Sequence, residues 1–195
     1  MAYTIADLIE HAVDLVPERT ALESGDRSRT YAELEARSNA LAHTLRELGV
    51  QPGDRVGLYS RNTIEAVESM VAIFKARAVM VNVNYRYLAV ELFYIFDNSD
   101  AAVVFFDAQF TDQVELVRGR LPKLKAWVQI GGGDVPDWAV DYDCLAADGD
   151  PSPLGIDRSP EDLFFLYTGG TTGMPKGVMW SQSVWRQASR EGAEK

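Results

Sequence analysis

"FFLYTGGTTGMPKGVMW" (residues 164–180) leaves an apolar run for two glycines, two threonines and a third glycine, then passes Pro-Lys-Gly and becomes apolar again. Its flanks are too short for helices and rich in aromatic and branched residues, so the segment reads as strand, loop, strand. That reading separates it from the common nucleotide loops. A Walker-type loop needs Gly, four residues, then Gly-Lys-Ser/Thr opening a helix. Here Pro175 precedes the lysine, Gly177 follows it, and "VMW" continues as a strand. The "GGGD" at 131–134 has no helix-forming run after it, so it does not fit the dinucleotide pattern either.

The residues of the loop suit an anion. Gly169, Gly170 and Gly173 let backbone amides fold around a phosphate chain without a Cβ in the way. Thr171 and Thr172 add hydroxyl donors. Lys176 adds a positive charge on a long stem, between the stiff Pro175 and Gly177. The plain alternative is a Gly/Thr-rich hairpin turn with an exposed lysine. Turn chemistry, however, asks for only one or two glycines and for no threonine pair.

Outward from this loop the chain alternates elements. Ile5, Leu8, Ile9, Ala12, Val13 and Val16 predict an amphipathic helix ending before Pro17, and "TALESGDRSRTY" a small hairpin. A second helix runs from Tyr31 and stops at Gly49; a third is capped by Asn62 and buries Ile64, Val67, Met70, Val71 and Phe74. Strands are expected at 54–59, 79–84, 101–107, 126–130 and 162–168, with helices around 91–96 and over 110–120. This order predicts an α/β fold, a parallel sheet with flanking helices. Three segments follow: an N-terminal α/β subdomain over 1–130, a connection over 131–162, and strand–phosphate loop–strand over 163–195. Between Asp134 and Asp162 stand nine acidic residues and one basic, Arg158, among four prolines, so the connection is expected on the surface rather than in a core.

Bulk composition narrows the partners. The 195 residues suffice for one domain or one large lobe, and 47% hydrophobic with 25% charged is ordinary for a globular chain. A net charge of −10 repels nucleic acid and anionic membrane, so a phosphate ligand needs a local site working against that field. A lone cysteine, Cys144, excludes an internal disulfide and fits a reducing compartment. No apolar run is long enough to span a bilayer, and the N-terminus lacks signal-peptide features. A cytoplasmic protein is expected. His11 and His43 lie far apart on helices without cysteine or paired carboxylates nearby, and "DYDCLAADGD" (141–150) places Leu145 and Ala146 where a calcium loop needs an oxygen ligand and a glycine. No metal ligand set is assigned.

"YTGGTTGMPKGVM" (167–179) resembles the phosphate-binding signature of the adenylate-forming enzymes: acyl-CoA synthetases, luciferases and peptide-synthetase adenylation domains. The likeness extends through "RTYAELEARSNALAHTLRELGVQPGDRVGLYSRNTIEAV" (29–67), similar to the family's N-terminal region. "VNVNYRYLAVELFYIFDNSDAAVVFFD" (81–107) is similar to the acyl-CoA synthetase branch, especially ligases of fatty or steroid side-chain carboxylates. The resemblance implies a two-step reaction. A carboxylate attacks the α-phosphate of Mg²⁺-bound ATP, giving acyl-adenylate and pyrophosphate, and the thiol of CoA then displaces AMP. By position, Thr168 to Gly173 would wrap the β- and γ-phosphates, Lys176 would follow the leaving pyrophosphate, and Gly177 would complete the loop.

The same resemblance implies that the adenine and ribose contacts, the magnesium-holding acid, the hinge and the main catalytic lysine lie beyond this loop. The 195 residues resemble the first part of such an enzyme and are expected to be inactive alone, with an exposed sheet edge prone to self-association. Arg77 stands where the family usually has glycine, and Gln182 where many members carry histidine. Two other readings stay open: a non-catalytic remnant or interaction module that keeps the fold, and a branch activating an amino or aryl acid.

Overall fold

In a computed structural model describing residues 3–170 and 173–193, a single seven-stranded sheet joins the first third of the chain to its last. Its order is β7 (Ala139–Asp141), β6 (Ala126–Ile130), β5 (Ala101–Asp107), β3 (Arg55–Tyr59), β4 (Val79–Asn82), β8 (Leu163–Gly170) and β9 (Gly173–Ser181). Neighbours from β7 to β8 pair in parallel; only β9 runs antiparallel, against β8. Apart from the sheet, β1 (Thr20–Ser24) and β2 (Arg27–Thr30) form the expected small hairpin. The parallel α/β reading of the sequence holds.

A parallel sheet needs cover on both faces, and its strands then bury both sets of alternating side chains. Val56, Leu58, Val103, Phe105, Val128 and Phe164 point to one apolar layer. It is filled by α1 (Ile5–Leu15), α2 (Tyr31–Glu47), α3 (Ile64–Lys75) and α6 (Tyr142–Asp148). Tyr59, Val104, Phe106, Trp127 and Tyr167 point to the other, filled by α4 (Ala89–Asn98) and α5 (Thr111–Arg118). A last helix, α7 (Gln182–Ala193), follows β9. The helix starts obey local chemistry. Thr4 and Thr30 each form a reciprocal capping box, with Asp7 and Glu33 respectively. The third helix is capped by Thr63, not by Asn62 as the sequence suggested: the Thr63 hydroxyl accepts from the Ala66 amide at 3.2 Å.

The stretch 131–162 departs most from expectation. It is not merely a surface connection, because it supplies edge strand β7 and helix α6. Tyr142 is fully buried, and Trp138 stacks on Phe106 with ring centroids 5.7 Å apart. A few large anchors hold the segment down while acids and prolines dominate its composition. Residues 1–130 and the strands β8 and β9 share one sheet, since β8 pairs directly with β4.

Charge is buried in two clusters. The Glu68 carboxylate, fully enclosed, accepts from Arg37 Nε at 2.9 Å, Arg29 Nε at 3.2 Å and the Tyr142 hydroxyl at 2.6 Å. In the second, the Lys75 ammonium, 1% exposed, donates to Glu10 at 2.6 Å and Glu35 at 2.8 Å. Arg158, the lone base of the acidic stretch, reaches back to Asp7 at 2.7 Å and to Glu10. Burial pushes the Asp7 and Glu10 carboxyls up, but other contacts outweigh it and hold both below their ordinary values: at Asp7 the hydrogen bond from the Thr4 amide, then those from Arg158 and the Thr4 side chain with the Arg158 charge, and at Glu10 hydrogen bonds and charge from Arg158 and Lys75.

Two outcomes are expected. Removing one partner of a buried ion cluster strands the others, so Glu68→Ala should lower unfolding free energy by about 3–5 kcal/mol in urea titrations. Because the folded pKa values of Asp7 and Glu10 are depressed, their contribution is complete above the ordinary carboxyl values of 3.8 and 4.5 and is lost as pH falls through the folded ones. The urea midpoint should therefore drop on acidification below pH 4.5. Arg158→Met should be less stable at neutral pH yet lose less on the way down.

Candidate nucleotide-phosphate site

In open α/β sheets, ligands gather beyond the carboxyl ends of the parallel strands. The β8–β9 hairpin projects from that end. Its ladder runs from Leu163 opposite Ser181 to Thr168 opposite Lys176, then resumes with Gly170 opposite Gly173. Between those pairs the register shifts, placing Met174 and Pro175 against Gly169 alone. The shift has a local cause: proline has no N–H for a ladder, so a bulge is a natural place for it. Gly173 sits at φ +149°, in the region that disfavours side chains, at the return of the hairpin.

Directly opposed residues of an antiparallel pair share a face. Thr168 and Lys176 are such a pair, and both are exposed. Among the described residues Lys176 joins no ion pair, whereas Lys75, Lys123 and Lys125 each meet a carboxylate. From 167 to 177 the chain has no acidic residue, so the only ionisable charge in the loop is positive. At the same end of the sheet Asp107, the last residue of β5, is already committed: it accepts from Ser60 Oγ at 2.7 Å and the Arg61 amide at 2.9 Å. This donor set, a threonine, an unpaired ammonium and glycine backbone, fits a polyphosphate. Thr171 and Thr172 lie outside the described residues.

The hairpin differs from the open cradle expected at its base. Ladder pairing engages backbone up to Gly170 and again from Gly173. Gly177 also has a packing role across the hairpin. A Cβ there would lie 3.0 Å from the Tyr167 ring, so the glycine makes room for that ring across the hairpin. Tyr167 is held by its hydroxyl, which donates to Asn98 Oδ1 at 2.7 Å. Burial pushes its phenol up.

Two residues passed over in the sequence stand beside the loop. Asn98, the last residue of α4, anchors Tyr167. Tyr87, in the turn before α4, brings its hydroxyl within 3.1 Å of where a Cβ on Gly169 would sit. The polar-aromatic string "NVNYRY" was the only signal for it. Gln182, at the position of the family histidine, is buried and accepts from the Ile5 amide at 2.8 Å, which makes it a tie to α1. Arg77 keeps a left-handed φ of +57° where glycine would be unstrained, and forks onto Asp162 at 2.9 and 3.0 Å. Trp185 packs edge-on against Phe164, with centroids 6.1 Å apart. His43 approaches the Ser152 carbonyl at 3.1 Å, a contact that belongs to the scaffold.

Gly177→Ala tests the division between packing and chemistry. Pressing a methyl onto a pinned ring should cost about 1–3 kcal/mol in urea unfolding. Combining it with Tyr167→Leu should cost less than the two changes summed.

Residues 9–190 match the AMP-binding enzyme family. The chain is 54% identical over 191 residues to 3-oxocholest-4-en-26-oate–CoA ligase of Rhodococcus rhodochrous, covering 95% of this chain and 34% of that protein. It is 46% identical over 188 residues to the medium/long-chain-fatty-acid–CoA/3-oxocholest-4-en-26-oate–CoA ligase of Mycobacterium marinum, with 92% and 34% covered. Among solved structures, the anthranilate CoA ligase AuaEII in complex with anthranoyl-AMP superposes with a TM-score of 0.91 at 27% identity, over 97% of this chain and 36% of that one. The chain thus spans about a third of the length of these relatives.

Proposed function

The chain belongs to the AMP-binding enzyme family, and on that premise we propose that it is the phosphate-handling N-terminal part of an ATP-dependent acyl-CoA ligase. The observation that carries the reading is the ammonium of Lys176, which joins no ion pair among the described residues, opposite Thr168 on an acid-free hairpin at the carboxyl end of the sheet. Thr168, Gly169, Gly170, Thr171, Thr172 and Gly173 would hold the β- and γ-phosphates through amides and hydroxyls. Lys176 would move with the charge that builds on departing pyrophosphate. These are positioning and electrostatic roles, the usual way proteins assist reactions at phosphorus. Gly177 serves the site indirectly, by seating Tyr167.

The acid would be a fatty or steroid side-chain carboxylate, as in the names of the two relatives, and the acyl acceptor CoA. Mg²⁺ would arrive with the nucleotide, since the loop offers it no carboxylate. A cytoplasmic setting agrees with the lone cysteine, Cys144, and none of the described helices is long and apolar enough to cross a membrane. The edge strand β9 exposes Met174, Val178 and Met179 and would be a place for self-association or for a further part of a longer ligase.

The test uses two proteins: the 195-residue chain, and the same chain replacing its counterpart in the Rhodococcus ligase. With ATP, CoA and 3-oxocholest-4-en-26-oate, the chimera should release AMP and the isolated chain should not. Lys176→Ala in the chimera should slow pyrophosphate release about a hundredfold or more, the scale of losing one transition-state charge contact. It should leave the KM for the acid nearly unchanged. Pyrophosphate release at the parental rate would remove Lys176 from the role given to it.

A further inference from the structure

We infer that Tyr87 is a positioning residue of the phosphate loop, its hydroxyl held in reserve as a donor for the loop in its anion-bound form; this rests on the function proposed above. The phenol oxygen is buried and has no hydrogen-bond partner among the described residues. Buried tyrosine hydroxyls almost always have one. The contrast with Tyr167 is direct, since that phenol is satisfied by Asn98.

Nothing about Tyr87 is loosely placed. Its amide donates to the Asn84 carbonyl at 3.0 Å, and its carbonyl accepts from the Tyr59 hydroxyl at 2.7 Å. The Tyr59 phenol is itself pushed up to about 12 by burial and by the nearby Asp107 and Glu91 charges, so it stays a donor at all ordinary pH. Backbone held at both ends aims the ring at the base of the hairpin. There the hydroxyl stands 3.1 Å from the position a Cβ on Gly169 would take. A side chain at Gly169 would press on the phenol oxygen, and one of the two would have to shift by a few tenths of an ångström.

An unsatisfied donor behind a glycine loop has a physical use. Amides that turn onto an anion leave the carbonyls of the same peptides facing away from it. In the hairpin as found, Gly170 still pairs with Gly173. When that pairing opens to accept a polyphosphate, a carbonyl freed at Gly169 or beside it needs a donor on the sheet side. Tyr87 provides one, already buried and already aimed.

The experiment titrates the 195-residue chain with inorganic tripolyphosphate, following the ¹⁵N-amide shifts of Gly169 and Gly173. The parent is compared with Tyr87→Phe, Lys176→Ala, Gly169→Ala and Tyr87→Phe/Gly169→Ala. Thermal melts are recorded without ligand. Loss of one hydrogen bond formed only in the bound loop should weaken binding by roughly five- to tenfold in Tyr87→Phe. Its melting temperature should stay level or rise, because the removed hydroxyl had no partner. Gly169→Ala should also bind weakly, and adding Tyr87→Phe should restore part of that loss by relieving the crowding. If Tyr87→Phe binds as the parent does while Lys176→Ala is weakened, the inference falls and the phosphate loop stands. A lower melting point for Tyr87→Phe assigns the hydroxyl to the scaffold and likewise overturns it. If the parent shows no shift at Gly169 or Gly173, the phosphate-loop reading falls and takes the inference with it.

Discussion

The pairing of β8 with β4 is the contact on which the rest depends. Met80, Val81 and Asn82 pair with Phe164, Phe165 and Leu166, closing a loop that runs from one edge of the sheet out to β7 and back. Closing so long a loop costs conformational entropy, though the cost grows only slowly with length. Burial offsets it: Phe164 enters one apolar layer and Tyr167 the other. Arg77 and Asp162 lock the amino end of the strand, strongly enough to hold a non-glycine residue at a left-handed φ. With β8 so fixed, its far end has no choice but to place the glycine-threonine hairpin beyond the carboxyl edge of the sheet, beside Tyr87 and Asn98.

Two uses of charge coexist in a chain of net charge −10. Inside, Glu68 and Lys75 are matched to opposite partners and hydrogen bonds, which is the condition for burying them at all, and half-buried Glu10 and Arg158 extend the second cluster toward the surface. At the hairpin the logic reverses. Lys176 is exposed and, among the described residues, has no acid to neutralise it. Paired charge sets the scaffold, and unpaired charge of the sign opposite to the protein's own marks where an anion would be received.

The glycines divide in the same way. Gly173 occupies a backbone conformation that side chains disfavour, so its role is conformational. Gly177 and Gly169 are instead matched to aromatic neighbours, Tyr167 and Tyr87. A motif that reads as one uniform flexible loop is therefore packed at its base against two tyrosines.

From the residues alone, the elements, their order and the chemistry of the loop could be read. The apolar spacing of the first helix, the small hairpin before Tyr31 and the alternation of strands depend on neighbours a few positions away, and such patterns survive in a linear string. The third helix cap shifted from Asn62 to Thr63 because adjacent capping residues compete and only backbone geometry chooses between them. The stretch 131–162 was misjudged because its acids outnumber the few anchors, Trp138 and Tyr142, whose burial requires a sheet edge and a helix from elsewhere in the chain. Asn98 and the duty of Gly177 left no mark in the sequence, and Tyr87 only the polar-aromatic string around it. Each is defined by a contact between residues distant in sequence, and distance in sequence carries no record of distance in space until the sheet brings them together.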